Sequence, residues 1–153
     1  MEQGEKERRT FWDRSEEVVG ALIEVHRQLG PGLLESAYEA CLCRELALRG
    51  LSFERQCDLP VFYKGLRVDY GYRVDLVVRD CILVELKTAE RLLPIHVAQV
   101  ITYLRLSAIP VGLLVTFNVR VLKNGLRRLW LPRHPPSPSF SPSLPVPPNP
   151  PRP

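Results

Sequence analysis

The sequence predicts an α/β fold in which helices cover a single mixed sheet. Three observations point to this class. Two amphipathic helical segments open the chain, four strand-like runs follow them, and a third helix precedes a fully apolar strand. An apolar strand of that kind lies inside a sheet whose two faces are both covered. The predicted order is therefore two helices, four strands, a helix and two strands, which is typical of one α/β layer fold.

Three helices are predicted from hydrophobic spacing and stop signals. The first covers about residues 13–29, and Gly30-Pro31-Gly32 ends it. The second covers about residues 34–49 and ends at Gly50. The third opens at a proline and covers about residues 94–106, because proline is well tolerated in a first helical turn.

The strands are predicted from β-branched and aromatic runs between turn residues. Lys64-Gly65 marks one hairpin turn and Arg79-Asp80 marks another. The predicted strands cover residues 53–57, 61–63, 67–78, 81–87, 111–117 and 125–131.

Composition divides the chain into a charged segment at residues 1–12, a folded domain at 13–131 and a tail at 132–153. Hydrophobic residues make up 45% of the chain, which is enough for a core in one domain. The tail holds eleven of the fifteen prolines, so it cannot build a helix or a sheet and is predicted to be disordered, with polyproline II character. Such a tail could bind an SH3-like or WW-like partner weakly, although a passive tail or a read-through extension is the favoured interpretation.

Charge and cysteine usage narrow the environment and the partners. The net charge is +4, but two of the basic residues are in the tail, so residues 1–131 carry only +2. A nucleic-acid surface would need local clustering of basic residues, and an ordinary solvated edge is the alternative. The candidates for such a cluster are Arg120, Lys123, Arg127 and Arg128.

The four cysteines lack CxxC spacing and are interpreted as reduced thiols. With neither a signal peptide nor a membrane-length apolar run, we expect a cytoplasmic protein without membrane contact. The oligomeric state is not predicted.

The hairpin predicted around Asp80 carries acidic residues on both arms. If the turn centres there, Asp75 and Glu85 lie directly opposite each other. Alternation places Arg73 and Val77 on the face of Asp75, and Lys87 on the face of Glu85. Facing like charges destabilise a sheet, whereas Mg²⁺ is held by one or two carboxylates plus substrate oxygens. A nearby lysine can then position a water or stabilise charge on a phosphate, so the hairpin indicates a metal-assisted site.

Other polar residues can join this site, but each has a structural alternative. Glu35 stands at the start of the second helix, where the helix dipole already favours a carboxylate. Gln99 and Tyr103 share a face of the third helix at i,i+4, with His96 one turn earlier. A polar helix face explains them equally well from spacing alone. His26, on the apolar stripe of the first helix, is interpreted as a satisfied core histidine.

Together these motifs resemble the PD-(D/E)xK nuclease superfamily. Its core is a helix with a carboxylate, a hairpin bearing Asp and (D/E)-x-Lys, and a further helix and strand. Here the order is Glu35, Asp75, Glu85-Leu86-Lys87 and Gln99-Val-Ile-Thr-Tyr103, and the last motif looks like the QxxxY pattern of RecB-like and lambda-exonuclease-like branches. Val74 stands where the superfamily is named for a proline.

Within the superfamily, residues 12–131 resemble a small bacterial group labelled GxxExxR proteins. Tyr38 stands where that label has arginine. The stretches that carry the likeness are Glu24-Val-His-Arg, Leu29-Gly-Pro-Gly-Leu-Leu-Glu-Ser-Ala-Tyr-Glu39, Tyr70-Gly-Tyr-Arg-Val-Asp75, Val84-Glu-Leu-Lys87, Leu93-Pro-Ile-His-Val-Ala-Gln99 and Leu122-Lys-Asn-Gly125.

The resemblance implies a nuclease-like mixed central sheet flanked by helices, and a Mg²⁺- or Mn²⁺-dependent phosphodiesterase that acts on DNA or RNA. Asp75, Glu85, the Leu86 carbonyl and Glu35 would hold the metal. Lys87 would orient or activate the water. Gln99 and Tyr103, with His96 and Arg73 as further candidates, would contact the nucleic acid. The alternative is a non-catalytic nucleic-acid or protein-binding module on the same fold.

Overall fold

The computed structural model describes residues 2–131, with side chains described at 14–69 and 72–131. The predicted disordered tail lies outside the described residues. The helices and strands in chain order are α1 (Glu2–Leu29), α2 (Glu35–Leu48), β1 (Phe53–Tyr63), β2 (Leu66–Val78), β3 (Ile82–Lys87), α3 (Pro94–Ser107), β4 (Val111–Thr116), a 3-10 turn (Leu122–Gly125) and β5 (Leu126–Trp130).

The five strands form one mixed sheet in the order β1-β2-β3-β4-β5, so the predicted α/β class is confirmed. β1, β2 and β3 are antiparallel neighbours, β4 lies parallel to β3, and β5 returns antiparallel to β4. The parallel pair needs a crossover, and α3 supplies it. The carboxyl ends of β3 and β4 therefore meet at the same edge of the sheet.

Two apolar cores hold the layers together. On one face of the sheet, α1 and α2 pack against residues that include Leu76, Val84 and Phe117. On the other face, α3 packs against residues that include Leu83 and Leu114. Each fully buried leucine stabilises the fold by about 1.5–3 kcal/mol relative to an exposed one.

Two predicted boundaries were wrong. The first helix begins at Glu2 and not near residue 13. It therefore includes almost all of the charged segment at residues 1–12, which composition had divided from the folded domain. The first two predicted strands are one strand, β1, with a register shift between Leu59 and Val61. Pro60 lies at that shift, and an edge strand tolerates the loss of its backbone N–H group.

Both hairpin turns lie where they were predicted. Lys64 and Gly65 have φ values of 46° and 82°, and Arg79 and Asp80 have values of 50° and 56°. Two successive residues at positive φ are characteristic of the tight turns that match strand twist. No helix in the described part of the chain is long and apolar enough to cross a membrane.

The predicted sharing of one face by Arg73 and Val77 was wrong. Val74 and Val77 both pack in the α3 core, whereas Leu76 packs in the opposite core. Strict alternation would put Val74 with Leu76, so the side chains change face close to Asp75. Irregularities of this kind re-aim side chains and are frequent beside active sites.

Candidate active site

The site lies where β2 and β3 separate. The ladder between them pairs Val78 with Ile82, Val77 with Leu83 and Leu76 with Val84, and these pairs centre on Asp80 as predicted. Beyond Leu76, β2 continues beside β1, while β3 continues beside β4 to Lys87. β2 and β3 thus diverge beyond the Leu76–Val84 pair, and this point of divergence, next to Asp75 and Glu85, is called the fork.

Asp75 and Glu85 occupy the fork side by side. The Asp75 N–H group donates to Glu85 Oε1 at 3.2 Å, and the Leu86 N–H group donates to Asp75 Oδ2 at 2.8 Å. Each carboxylate therefore accepts a bond from the backbone of the opposite strand. These bonds fix the orientation of both carboxyl groups and bring them close together.

Burial and the neighbouring charge make Glu85 a weak acid. The residue is only 4% exposed. Loss of water around the carboxyl, and next the negative charge of Asp75, raise the pKa of Glu85 to about 8. The Asp75 N–H bond and Lys87 oppose this shift but do not cancel it. The Glu85 carboxyl therefore holds its proton to a higher pH than an exposed glutamate does.

Lys87 ends β3 and points toward the same pair. Its Nζ atom lies 3.7 Å from Glu85 Oε2, and its side chain is 23% exposed. Its backbone carbonyl accepts a bond from Phe117 N at 3.2 Å, which ties this end of β3 to the loop after β4. The predicted grouping of Asp75, Glu85 and Lys87 on adjacent strands is confirmed.

Glu35 approaches the fork from the first turn of α2, as predicted. Partial loss of water raises the pKa of the Glu35 carboxyl, Asp75 raises it further, and Lys87 lowers it. The Glu35 carboxyl is therefore close enough to interact electrostatically with both Asp75 and Lys87. The dipole of α2 favours a carboxylate at this position whether or not it binds a ligand.

The face of α3 that carries Tyr103 adjoins the same carboxylates. Burial, followed by the charge of Glu85, raises the pKa of Tyr103 to about 12, with smaller contributions from Tyr72 and Asp75. The hydroxyl therefore stays protonated and can donate a hydrogen bond at neutral pH. Gln99, one turn earlier, has a buried Oε1 atom without a hydrogen-bond partner among the described residues.

His96 and Arg73 have other contacts. His96 Nδ1 accepts a bond from Leu93 N at 3.0 Å, so the ring caps the start of α3. Arg73 Nε lies 3.1 Å from Asp58 Oδ1, and both side chains are exposed. The structure does not bring these two residues into contact with the carboxylate pair, so their substrate roles stay predictions.

Several residues outside the predicted site have contacts that explain their positions. His26 Nε2 lies 2.7 Å from Val119 O, which confirms a satisfied core histidine. Tyr38 is buried, stacks on Phe117 at 4.2 Å and donates to Gly30 O, so it has a structural role. In the predicted basic cluster, Arg128 forms an ion pair with Glu16 at 2.6 Å.

Three residues near the site were missed by sequence reasoning. Glu39 lies one turn after Glu35 on α2, and that i,i+4 spacing could have revealed it. Gln56 donates to Glu39 and also approaches Asp75. Tyr72, which is 46% exposed, places its ring 5.3 Å from that of Tyr103. Neither Gln56 nor Tyr72 has a local sequence signal for its position.

The donor set at the fork fits a hard divalent cation. Carboxylate oxygens are the ligands that Mg²⁺ prefers, and the proton that Glu85 retains is the charge that a bound cation would replace. Within the described side chains, no three His, Cys, Asp or Glu residues are already grouped as metal ligands. The fit therefore rests on the pair Asp75–Glu85, and ligation by Glu35 and by the Leu86 carbonyl stays a prediction.

Comparison with protein families agrees with this geometry. A family model described as PD-(D/E)XK nuclease superfamily matches residues 13–129, which span both cores and the fork. The chain therefore belongs to the PD-(D/E)XK nuclease superfamily. No curated protein and no solved structure gave a significant match.

Proposed function

We propose that this protein is a Mg²⁺- or Mn²⁺-dependent nuclease that hydrolyses phosphodiester bonds in DNA or RNA. The observation that carries the proposal is the contact of Asp75 with the buried Glu85, with Lys87 beside them, in a chain of the nuclease superfamily. A carboxyl group whose pKa is raised by burial beside a second carboxylate is costly for a purely structural site. It is well suited to a site in which a metal ion replaces the proton.

The residues of the fork would divide the work as follows. Asp75 and Glu85 hold the metal, with Glu35 and the Leu86 carbonyl completing its protein ligands. When bound, the metal supplies charge stabilisation at the phosphate and lowers the pKa of water. Lys87, whose Nζ atom already lies near Glu85, orients the attacking water.

The α3 face and the hairpin would contact the nucleic acid. Tyr103 offers a protonated hydroxyl beside the carboxylates, and Gln99 offers a buried acceptor that a sugar hydroxyl or a bound water can satisfy. His96 and Arg73 are further contacts at the edge of this surface. We propose the same bacterial GxxExxR group for the chain as the sequence motifs indicate, and a cytoplasmic location where nucleic acid is available.

The function is tested with Asp75→Asn. Asparagine keeps an oxygen that can accept the Leu86 N–H bond but removes the charge that faces Glu85. Because the charge of Asp75 helps to raise the pKa of Glu85, its removal lowers the cost of burying that carboxyl group at neutral pH, and the metal-free variant should be as stable as the parent or slightly more stable. It should lose Mg²⁺-dependent cleavage and thermal stabilisation by Mn²⁺ or Mg²⁺.

Melting curves with and without divalent ions, and cleavage assays on single- and double-stranded DNA and RNA with an EDTA control, measure both effects. Asp80→Asn is the matched control, because it makes the same change in the exposed turn of the same hairpin. If Asp75→Asn costs about 1–3 kcal/mol and the parent ignores metal, Asp75 is a structural residue and the nuclease proposal fails. Binding of nucleic acid without cleavage would instead indicate the non-catalytic module.

A further inference from the structure

Gln56 adopts an unusual backbone conformation opposite Asp75. β1 and β2 pair Arg55 with Leu76 and Cys57 with Val74, but Gln56 between them has a φ of 49°. Residues other than glycine rarely adopt positive φ, and they keep it only where the surroundings determine it. A tight turn does not explain this position, because Gln56 lies within an 11-residue strand.

The side chain of Gln56 lies between two carboxylates. Its Nε2 atom is 2.5 Å from Glu39 Oε1 and 3.5 Å from Asp75 Oδ1. Ionised carboxylates only accept hydrogen bonds, so the amide must present its NH₂ group to both. The contact with Glu39 is short and the contact with Asp75 is long. Glu39 therefore anchors the amide, and the amide limits where the Asp75 carboxylate can turn.

Glu39 is itself held in place. It is only 7% exposed, and its other oxygen, Oε2, accepts a bond from the Arg55 guanidinium at 2.9 Å. It also follows Glu35 by one turn on α2, so both glutamates share a face of that helix. The same contacts thus tie the first turns of α2 to β1 and set how closely Glu35 approaches the fork.

We propose that Glu39 and Gln56 are positioning residues of the candidate metal site. This inference rests on the proposed function. Gln56 orients the Asp75 carboxylate, and Glu39 orients both the Gln56 amide and the helical turn that carries Glu35. Neither residue contacts the cation. Groups that hold metal ligands in place typically change metal affinity or activity by about 10–100-fold when they are replaced.

The test measures Mn²⁺ affinity by titration calorimetry in the full chain, apart from any cleavage assay. Gln56→Leu keeps an unbranched Cβ and a similar volume but removes the amide. We expect Mn²⁺ affinity to fall about tenfold or more in a variant that circular dichroism shows to be folded. Gln28→Leu is the matched control, because it makes the same substitution on an exposed face of α1, and it should leave Mn²⁺ affinity unchanged.

A second variant guards against a folding defect in Gln56→Leu. Asparagine adopts positive φ more readily than glutamine, so Gln56→Asn should fold at least as well while its shorter amide no longer reaches Asp75. We expect the same loss of Mn²⁺ affinity. Unchanged affinity in a folded Gln56 variant, in a parent that binds Mn²⁺, would overturn this inference alone. A parent that binds no Mn²⁺ would overturn the proposed function and this inference together.

Discussion

At the scale of single residues, the change that folding makes to the environment of the Glu85 carboxyl says most about the candidate site. An exposed glutamate has a pKa near 4.5, but burial beside Asp75 raises the pKa of Glu85 to about 8. The folded protein therefore binds this proton more tightly than the unfolded chain does. The stability that results is fully present below pH 4.5 and is lost as the pH rises through about 8.

Glu85→Gln should remove this pH dependence. Glutamine can still accept the Asp75 N–H bond, but it carries no carboxyl to ionise. In metal-free buffer, the free energy of unfolding of the parent should fall between about pH 4.5 and 8 relative to that of the variant, with no further divergence well above pH 8. Urea denaturation across this pH range in EDTA provides the measurement.

Glu90→Gln supplies a matched control, since it makes the same substitution at an exposed position outside the fork. Parallel stability profiles for the parent and Glu85→Gln would contradict the raised pKa of Glu85. The same shift also predicts that Mn²⁺ binding releases a proton near neutral pH, because the metal and the proton compete for one carboxyl group.

At the scale of secondary-structure elements, α3 is held close to the sheet at a position that serves the site. A Cβ atom at Gly112 of β4 would lie 2.7 Å from Val100 Cγ1, so only glycine allows α3 to pack this tightly. Val100 and Leu104 are fully buried in the same core. The core-facing residues fix the rotation of the helix, which turns Tyr103 toward the carboxylates.

Substitutions on this face should affect cleavage and leave folding intact. Tyr103→Phe keeps the ring but removes the hydroxyl, and Gln99→Ala removes the buried acceptor. Each should lower the cleavage rate by about tenfold, which corresponds to roughly 1.4 kcal/mol of transition-state stabilisation. Cleavage assays, with folding checked by circular dichroism, measure this effect.

Thr102→Ala is the control for the helix itself, because the Thr102 hydroxyl bonds back to the Ala98 carbonyl of α3 and not to the site. Full activity in both Tyr103→Phe and Gln99→Ala would show that these two residues support the fold and take no part in cleavage. In that case the i,i+4 motif would reflect only a polar helix face, the alternative that spacing alone left open.

At the scale of the whole molecule, the described residues hold the five-stranded sheet, both apolar cores and the fork. The described elements run from Glu2 to Trp130, and the family match ends at residue 129. Both apolar cores and every predicted site residue lie before the proline-rich tail. The proposed chemistry therefore requires no residue after 131.

Deletion of residues 132–153 should leave both the melting temperature and metal-dependent cleavage unchanged. The tail is rich in proline and poor in the apolar residues that a core needs, so its removal exposes little that the domain has buried. Thermal denaturation and cleavage by the shortened and full-length chains make the comparison. A loss of activity with retained folding would show that the tail takes part in the function, contrary to this prediction.

The sequence by itself determined the facing of Asp75 and Glu85 and the order of elements, apart from the division of β1 into two predicted strands. Both depend on short-range signals: the spacing of apolar residues, the glycines and prolines that end elements, and the turn at Arg79-Asp80. Once that turn is placed, the register of the hairpin follows from chain geometry alone.

Only the tertiary structure decided the state of the site. The raised pKa of Glu85 depends on burial by segments distant in the chain, and the contacts of Glu39 with Arg55 and Gln56 form only when α2 lies beside β1. The change of face near Asp75 could not be predicted from the sequence either. Strand prediction relies on the two-residue alternation of side chains, and this change interrupts that alternation. Local propensity sets which residues alternate and where a turn occurs, whereas desolvation and close polar contacts arise only when separate elements pack together.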